Sequence, residues 1–199
     1  MSFGDRFLGW LPWILAALII AGIVHLTSIL AMPRLATEDA FARIARVAPL
    51  HKLTILAGKP DAMKLLPFED PSTAVAVCRF DLTQGPLRLK GKLVGDGLML
   101  MSFRNRYGAA FYSMTDRGTS RGTLNVVVVT QAQLEAIEAN DPEDETPSEL
   151  RLTSPTLKGL VILRSLAPEK GDYPRAVEEL KSIACLLEPA PAGAGVKSG

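Results

Sequence analysis

Cysteine, histidine and tryptophan are scarce in this sequence, with two residues of each type among 199. Two histidines leave little material for histidine-based acid–base catalysis, and the two cysteines belong to no CxxC or metal-ligand pattern. The sequence also has no GxSxG, HExxH, Walker-type or GxGxxG motif. We therefore expect no metal and no cofactor, and the sequence favours a non-catalytic protein over an enzyme.

An excess of charge of either sign is also missing. Lysine and arginine number 22 and the acidic residues 21, and no basic stripe with interleaved aromatic residues is present. Nucleic-acid-binding surfaces are usually strongly basic. Nucleic acid is therefore not expected as a partner.

Charge is absent altogether from residues 7–33, a run of 27 residues that is long enough to cross a bilayer as a helix. The alternative is a cleaved signal peptide. The run, however, exceeds the 7–15 apolar residues of a signal-peptide core, and no small-x-small cleavage site precedes Arg34. We expect residues 7–33 to anchor the chain in the lipid bilayer.

His25 is the only titratable residue of this apolar run, with Thr27 and Ser28 beside it. Polar residues inside a membrane often mark a functional contact, such as one between helices. The alternative is a neutral imidazole near the far interface, because His25 lies in the last third of the run.

Two rules make different predictions about the side of the membrane on which the residues after the apolar run lie. Arg34, Arg43 and Arg46 follow the run and only Arg6 precedes it, which by the positive-inside rule favours a cytoplasmic domain. A short N-terminal tail before a long domain is instead typical of a signal anchor, and long domains cross membranes largely regardless of charge. We expect a single-pass protein of the bacterial inner membrane with a periplasmic domain.

The chain divides into four segments by composition. Residues 1–34 hold the tail and the membrane span, and residues 35–72 hold a juxtamembrane helix capped by Thr37 and a proline-rich connector. Residues 73–188 form a β-rich domain that ends in a helix. Residues 189–199 are mostly proline, alanine and glycine, and we expect them to be disordered.

Apolar and polar residues alternate through most of the third segment, which predicts short strands. A capping-box pattern at Thr130 and Gln133 predicts a short helix between strands, and apolar spacing predicts a last helix over 173–187. The predicted fold is mainly β with flanking α: an N-terminal transmembrane helix followed by an antiparallel β-sandwich or open barrel. The strands are predicted at 74–82, 87–93, 98–103, 110–115, 123–129, 149–153 and 157–166, with a hairpin turn at 95–97.

Several polar side chains lie where predicted strands end. Asp81, Tyr112, Asp116 and Arg117 are the candidate ligand-binding residues. Four arginines also lie in turns, but Arg104 and Arg106 lie at one end of a predicted strand pair, whereas Arg117 and Arg121 lie at the other. We expect these four to be solvated turn charges.

The two cysteines, Cys78 and Cys185, are far apart in sequence. They form a disulfide if the domain faces an oxidising space, and are two buried thiols if it does not. Cys78 lies on the apolar face of the first long strand with Phe80, and Cys185 lies beside the buried stripe of the predicted last helix. Packing of that helix over the strand would bring the cysteines within disulfide distance.

A set of short motifs resembles the domain of unknown function 1254, in particular its short membrane-anchored form in alphaproteobacteria. The resemblance covers most of the chain, including residues 30–36 of the anchor. The motifs are Asp70-Pro71, Cys78-Arg79-Phe80-Asp81-Leu82, Gly85-Pro86, Phe111-Tyr112-Ser113, Asp116-Arg117, Asn140-Asp141-Pro142, Glu149-Leu150-Arg151, Ser154-Pro155 and Gly159-Leu160-Val161.

This resemblance implies a β-rich envelope domain that is often paired with the domain of unknown function 1214, fused to it or encoded as a neighbour. The present chain ends where that partner begins in the long form, so a heteromer with a protein carrying the domain of unknown function 1214 is expected. The resemblance brings no established activity. The expected function is a membrane-anchored, non-catalytic subunit of an envelope protein complex. The alternative is a periplasmic ligand-binding or hydrolytic domain with a site at strand ends.

Overall fold

The computed structural model describes residues 3–35, 40–56, 70–93, 98–119, 122–141 and 149–190. The chain forms two compact units, Met1–Asp39 and Ala40–Gly199. The predicted cap at Thr37, the predicted turn at 95–97, Arg121 and most of the C-terminal tail lie outside the described residues.

The first unit consists of one helix, α1 (Phe3–Leu35). Its part from Gly9 to Met32 is long and apolar enough to cross a membrane. The side chains from Gly9 to Leu30 are all exposed. The helix therefore presents an exposed apolar surface over this part of its length.

The second unit contains a short helix α2 (Ala40–Ala45), two sheets and two further helices, α3 (Gln131–Glu138) and α4 (Tyr173–Lys181). Its strands are β1 (Thr54–Ile55), β2 (Thr73–Asp81), β3 (Leu87–Lys92), β4 (Met99–Asn105), β5 (Ala110–Thr115), β6 (Thr123–Val129), β7 (Leu150–Thr153), β8 (Lys158–Leu166) and β9 (Ala184–Leu187).

The strands form a five-stranded sheet, in the order β1-β2-β8-β4-β5, and a four-stranded sheet, in the order β7-β6-β3-β9. The pairs are antiparallel except for β6 and β7, which are parallel. An N-terminal apolar helix followed by a mostly antiparallel β-domain with flanking helices is the predicted fold class, and it is confirmed. The prediction that all strands pair antiparallel was wrong for β7, which pairs parallel with β6.

Alternation along each strand explains how the two sheets share one core. In β2 the side chains of Ala74, Ala76, Cys78 and Phe80 are fully buried, whereas every second residue between them lies on the opposite face. The buried faces of both sheets belong to one apolar cluster, which also contains Ala176 and Leu180 of α4. We call this face of the five-stranded sheet its inner face and the opposite one its outer face.

Residues that precede β2 cover part of the outer face. Ala48 and Leu56 are buried against Val77, with Ile44 beside them. Strand β1 pairs with β2, so the predicted connector is partly an edge strand of the sheet. The juxtamembrane helix and connector thus belong to the same compact unit as the β-domain.

The C-terminal prediction was wrong in one respect. The helix expected over 173–187 ends at Lys181, and Ala184–Leu187 forms strand β9, which pairs with β3. Ile183 and Cys185 are buried, a pattern of apolar residues that is compatible with a strand as well as with a helix. Pairing with the edge of β3 decides for the strand, because only an extended chain can form the hydrogen bonds between strands.

The predicted hairpin between β3 and β4 was also wrong. Strand β3 pairs with β6 and β9, whereas β4 pairs with β5 and β8 in the other sheet. The connection between β3 and β4 therefore crosses from one sheet to the other, so turn-type residues alone did not decide which strands pair.

Candidate functional site

A disulfide between Cys78 and Cys185 joins the two sheets through the core. Cys78 lies on β2 and Cys185 on β9, with their Cα atoms 6.6 Å apart and both side chains buried. The predicted position of Cys185 on a helix was wrong, because the residue lies on a strand. The covalent link therefore connects a central strand of one sheet to an edge strand of the other.

Asp81, the first candidate ligand residue, lies at the end of β2 on the outer face. Its Oδ1 accepts hydrogen bonds from the backbone N–H and the hydroxyl of Thr83, and its Oδ2 pairs with Lys158 Nζ at 3.1 Å. Burial raises the pKa of Asp81, but the bonds from Thr83 and Lys158 outweigh burial, so the pKa lies below its ordinary value. The carboxylate is held by its neighbours.

Tyr112, the second candidate, lies on the other side of the same sheet. It is opposite Phe103 in the β4–β5 pair, and the two ring centroids are 6.1 Å apart. Phe103 is fully buried on the inner face, so Tyr112 packs at the rim of the core. Its role in the structure is aromatic packing.

Asp116 and Arg117 follow β5 in a short 3-10 turn, Asp116–Gly118. The Asp116 carboxylate accepts a long hydrogen bond of 3.4 Å from the backbone N–H of Met99, and the Asp116 carbonyl accepts from the hydroxyl of Thr119. Arg117 is exposed.

The structure does not bring these four residues together. Thr115 aligns across the sheet with Val75, six residues along β2 from Asp81, which corresponds to about 20 Å at about 3.3 Å per residue. Tyr112 lies on the opposite face from Asp81. A single pocket cannot use all four.

The two histidines have different surroundings. His25 is exposed on α1, and the neighbouring hydroxyl of Thr27 donates to the carbonyls of Ile23 and Val24 in its own helix. His51 is half-buried and has a backbone φ of 54°, in the left-handed region, and its Nε2 lies 3.1 Å from the backbone nitrogen of Asp81. In the part of the chain that the structure describes, no group of three or more histidine, cysteine or acidic side chains could hold a metal ion.

A network of alternating charges covers the outer face of the four-stranded sheet. Glu149 pairs with both Arg88, at 2.7 Å, and Arg151, at 2.9 Å. Arg88 also pairs with Glu188, and Arg151 with Asp141. Burial raises the pKa of Glu149, but hydrogen bonds from Arg151 and Arg88 outweigh it and leave that pKa below its ordinary value. Each arginine of this network meets two carboxylates.

A second group of arginines lies on the outer face of the five-stranded sheet, and we call Arg79, Arg104 and Arg106 the arginine cluster. The ring of Phe41, from α2, contacts two of them: its centroid is 4.9 Å from Arg79 Cζ and 4.5 Å from Arg106 Cζ. Arg79 and Arg104 are aligned with the same residue of β8, Leu160, from its two sides. Their side chains therefore share one face of the sheet.

Backbone carbonyls are the acceptors that hold Arg79 and Arg104. Arg79 Nη1 donates to the carbonyl of Ala48 at 3.0 Å, and Arg104 Nη1 donates to that of Gly108 at 2.8 Å. The Nε atoms of both are buried without a hydrogen-bond partner. Burial lowers the pKa of Arg79, and the positive charge of Arg106 lowers it further. The cluster is a local concentration of positive charge.

Sequence reasoning missed Arg79 as a member of this group. The alternation in β2 indicated that Arg79 points away from the core, but not that β8 would lie between β2 and β4. That strand order places Arg79 beside Arg104. The predicted separation of Arg104 and Arg106 from Arg117 is consistent with the structure, since β5 runs between them.

Comparisons with known proteins support the fold described above and go no further. The sequence matches no family model and no curated protein. A crystal structure of the VPA0106 protein from Vibrio parahaemolyticus is similar, with a TM-score of 0.53 and 11% identity over 74% of this chain and 34% of that one. A structure from Burkholderia cenocepacia matches with a TM-score of 0.42 and 13% identity over 61% of this chain and 33% of that one. The chain thus spans about a third of the length of these two structures, and the first likeness shows the fold.

Proposed function

We propose that this chain is a membrane-anchored domain of the bacterial cell envelope and acts as a non-catalytic subunit of a protein complex. In this proposal α1 crosses the inner membrane once, and the β-domain lies in the periplasm. The partner is a protein that carries the domain of unknown function 1214, as the resemblance to the domain of unknown function 1254 implies.

The disulfide is the observation that carries the proposal. Disulfides persist in oxidising compartments such as the periplasm and are rare in the cytosol. The Cys78–Cys185 link is buried between two sheets, where it serves the fold and is not placed for exchange with solvent thiols. The disulfide therefore supports the proposal that the β-domain is translocated across the inner membrane. A translocated domain in turn supports the proposal that α1 is its membrane anchor.

The way the charges are arranged supports a non-catalytic role. Arg88 and Arg151 are each paired with two carboxylates, and Asp81 is held by Thr83 and Lys158. Carboxylates in such pairs stabilise the fold and are not poised to exchange protons near neutral pH.

An exposed apolar patch on the outer face of the five-stranded sheet supports a subunit role. It consists of Leu98, Leu100 and Leu166, which are 43%, 39% and 38% exposed. Leu98 and Leu166 are joined by a backbone hydrogen bond, so the patch is continuous across β4 and β8. Contiguous exposed apolar residues are typical of protein–protein contacts. Strand β5 is an edge strand of the same sheet, and β-addition is a further means of docking.

The location is tested by fusing alkaline phosphatase to the C-terminus in cells. The enzyme folds only where disulfides form, so the fusion should be active, and non-reducing mass spectrometry should find the Cys78 and Cys185 peptides linked. A matched β-galactosidase fusion should be inactive. An inactive phosphatase fusion together with free, alkylated thiols would contradict the envelope location.

The subunit role is tested by co-expressing the full chain with a protein carrying the domain of unknown function 1214 and copurifying them from gently solubilised membranes. Leu100→Asp should reduce recovery of the partner, because a charge in the apolar patch must be desolvated on binding. Leu157→Asp is the matched control, since Leu157 is 43% exposed outside the patch. Equal recovery with both variants would contradict docking on this face.

A further inference from the structure

We infer that the arginine cluster binds the phosphate group of an anionic phospholipid headgroup at the surface of the membrane that α1 spans. This inference depends on the proposed anchoring but not on the proposed protein partner.

The first step is the geometry of the cluster. Arg79 and Arg104 lie on β2 and β4, with Leu160 of β8 between them in register, so their Cα atoms are two strand spacings, about 10 Å, apart. Both side chains lie on the outer face, and a guanidinium fork matches two oxygens of a phosphate. In this inference one phosphate group lies over Leu160 and accepts from the remaining N–H groups of both side chains.

The second step is charge that the fold leaves uncompensated. Arg88 and Arg151, on the other sheet, each pair with two carboxylates. Among the described ranges of the chain, by contrast, neither Arg79 nor Arg104 pairs with a carboxylate, and neutral carbonyls are their hydrogen-bond acceptors. A half-buried charge without a counter-charge is costly, and an external anion would remove that cost.

The third step is the position of the cluster in the chain. Phe41, which contacts Arg79 and Arg106, is the second residue of α2. In the sequence, Leu35 at the end of α1 is followed by four residues and then by Ala40. Even a fully extended chain separates the Cα atoms of Leu35 and Ala40 by no more than about 18 Å. This short separation in sequence is the reason that we propose lipid headgroups, and not a soluble phosphate, as the source of the anion.

The test uses the full chain in mild detergent and counts bound phosphatidylglycerol by native mass spectrometry during a titration. The wild type should retain this lipid and should not retain phosphatidylcholine. The Arg79→Gln/Arg104→Gln double variant should bind phosphatidylglycerol at least about tenfold more weakly, because charged hydrogen bonds are lost. Arg117→Gln, in an exposed turn, should bind like the wild type. Equal binding by the wild type and the double variant would overturn the inference.

Two further arms keep the result unambiguous. An intact disulfide and an unchanged urea midpoint would show that the double variant is folded. If it is not folded, Arg104→Gln alone serves as the test, because it removes one guanidinium and should also weaken phosphatidylglycerol binding. Inorganic phosphate should not displace phosphatidylglycerol from the wild type at equal concentration, and displacement would assign the cluster to free phosphate and overturn the lipid assignment. An active phosphatase fusion with no lipid selectivity would refute this inference alone, whereas an inactive fusion would refute the proposed envelope location.

Discussion

Removing the Cys78–Cys185 disulfide should destabilise the β-domain more than any other single covalent or side-chain change that we consider. The link closes a loop with a sequence separation of 107 residues, from the centre of one sheet to the edge of the other. We propose replacing both cysteines with alanine, so that no thiol is left to form a new link.

The magnitude follows from the length of the closed loop. In the chain-entropy model, a disulfide that closes a loop of roughly 100 residues raises the free energy of unfolding by about 4.7 kcal/mol, and its removal loses that amount. Measured losses are often smaller. Domains of this size are stable by about 5–15 kcal/mol, so we expect a loss of about 3–5 kcal/mol. The structure also indicates where the stability should be lost first. Strand β9 has four residues and lies at the edge of the sheet, where it pairs with β3, so without the disulfide it should open locally.

The assay is urea unfolding of the full chain in mild detergent. Tryptophan fluorescence would report on α1, where both tryptophans lie, so tyrosine emission is the appropriate signal. The three tyrosines of the β-domain are Tyr107, Tyr112 and Tyr173. Hydrogen exchange of the β9 amides should rise in the variant before that of the β2 amides does.

An unchanged urea midpoint in the double alanine variant would refute this reasoning. Added reductant serves as the control, because it should lower the midpoint of the wild type and leave that of the variant unchanged. A variant that is sensitive to reductant would show that the midpoint reports on something other than the disulfide.

Three further predictions concern the fold and its pH dependence. Thr130→Ala removes the capping box of α3 and should lower the free energy of unfolding by about 1 kcal/mol in the same urea assay, and a loss below measurement error would contradict the cap. Gly159→Ala should cost more than about 2 kcal/mol, because the added Cβ would lie 2.3 Å from Cζ of Phe80, whereas Gly171→Ala, with no atom within 4 Å, should be neutral. The folded-state pKa of Glu149 is depressed below its ordinary 4.5, so the stability it contributes is complete above about that pH and is lost as pH falls through the folded pKa. Stability measured from pH 6 to pH 3 should therefore fall less steeply in Glu149→Gln than in the wild type, and parallel curves would contradict the assignment.

Local patterns predicted local structure well. The strands predicted over 110–115 and 123–129 match β5 and β6, and the capping box at Thr130 and Gln133 has both of its hydrogen bonds. These features depend on residues a few positions apart, whose spacing can be read along the chain. Gln133 has a further role that no local pattern indicates, since its buried Nε2 donates to the carbonyl of Leu82.

The candidate ligand site was predicted from residues at the ends of strands. Whether those residues lie close together depends on which strands pair, and the strands concerned are far apart in sequence. Asp81 is the last residue of β2 and Asp116 follows β5, but β2 and β5 run in opposite directions, so the two residues lie at opposite ends of the sheet along the strand direction. The arginine cluster shows the reverse case, in which Arg79 and Arg104 are brought together because β8 pairs with both β2 and β4.

The sequence by itself determined the apolar run that becomes α1, most of the strands, and the face of each strand that is buried, because hydrophobic periodicity acts over a few neighbouring residues. The tertiary structure alone decided that the last apolar stretch is a strand, that β3 and β4 belong to different sheets, and that Arg79 lies beside Arg104. Those outcomes depend on which strand edges find partners, and the free energy of that pairing comes from contacts between residues far apart in the chain.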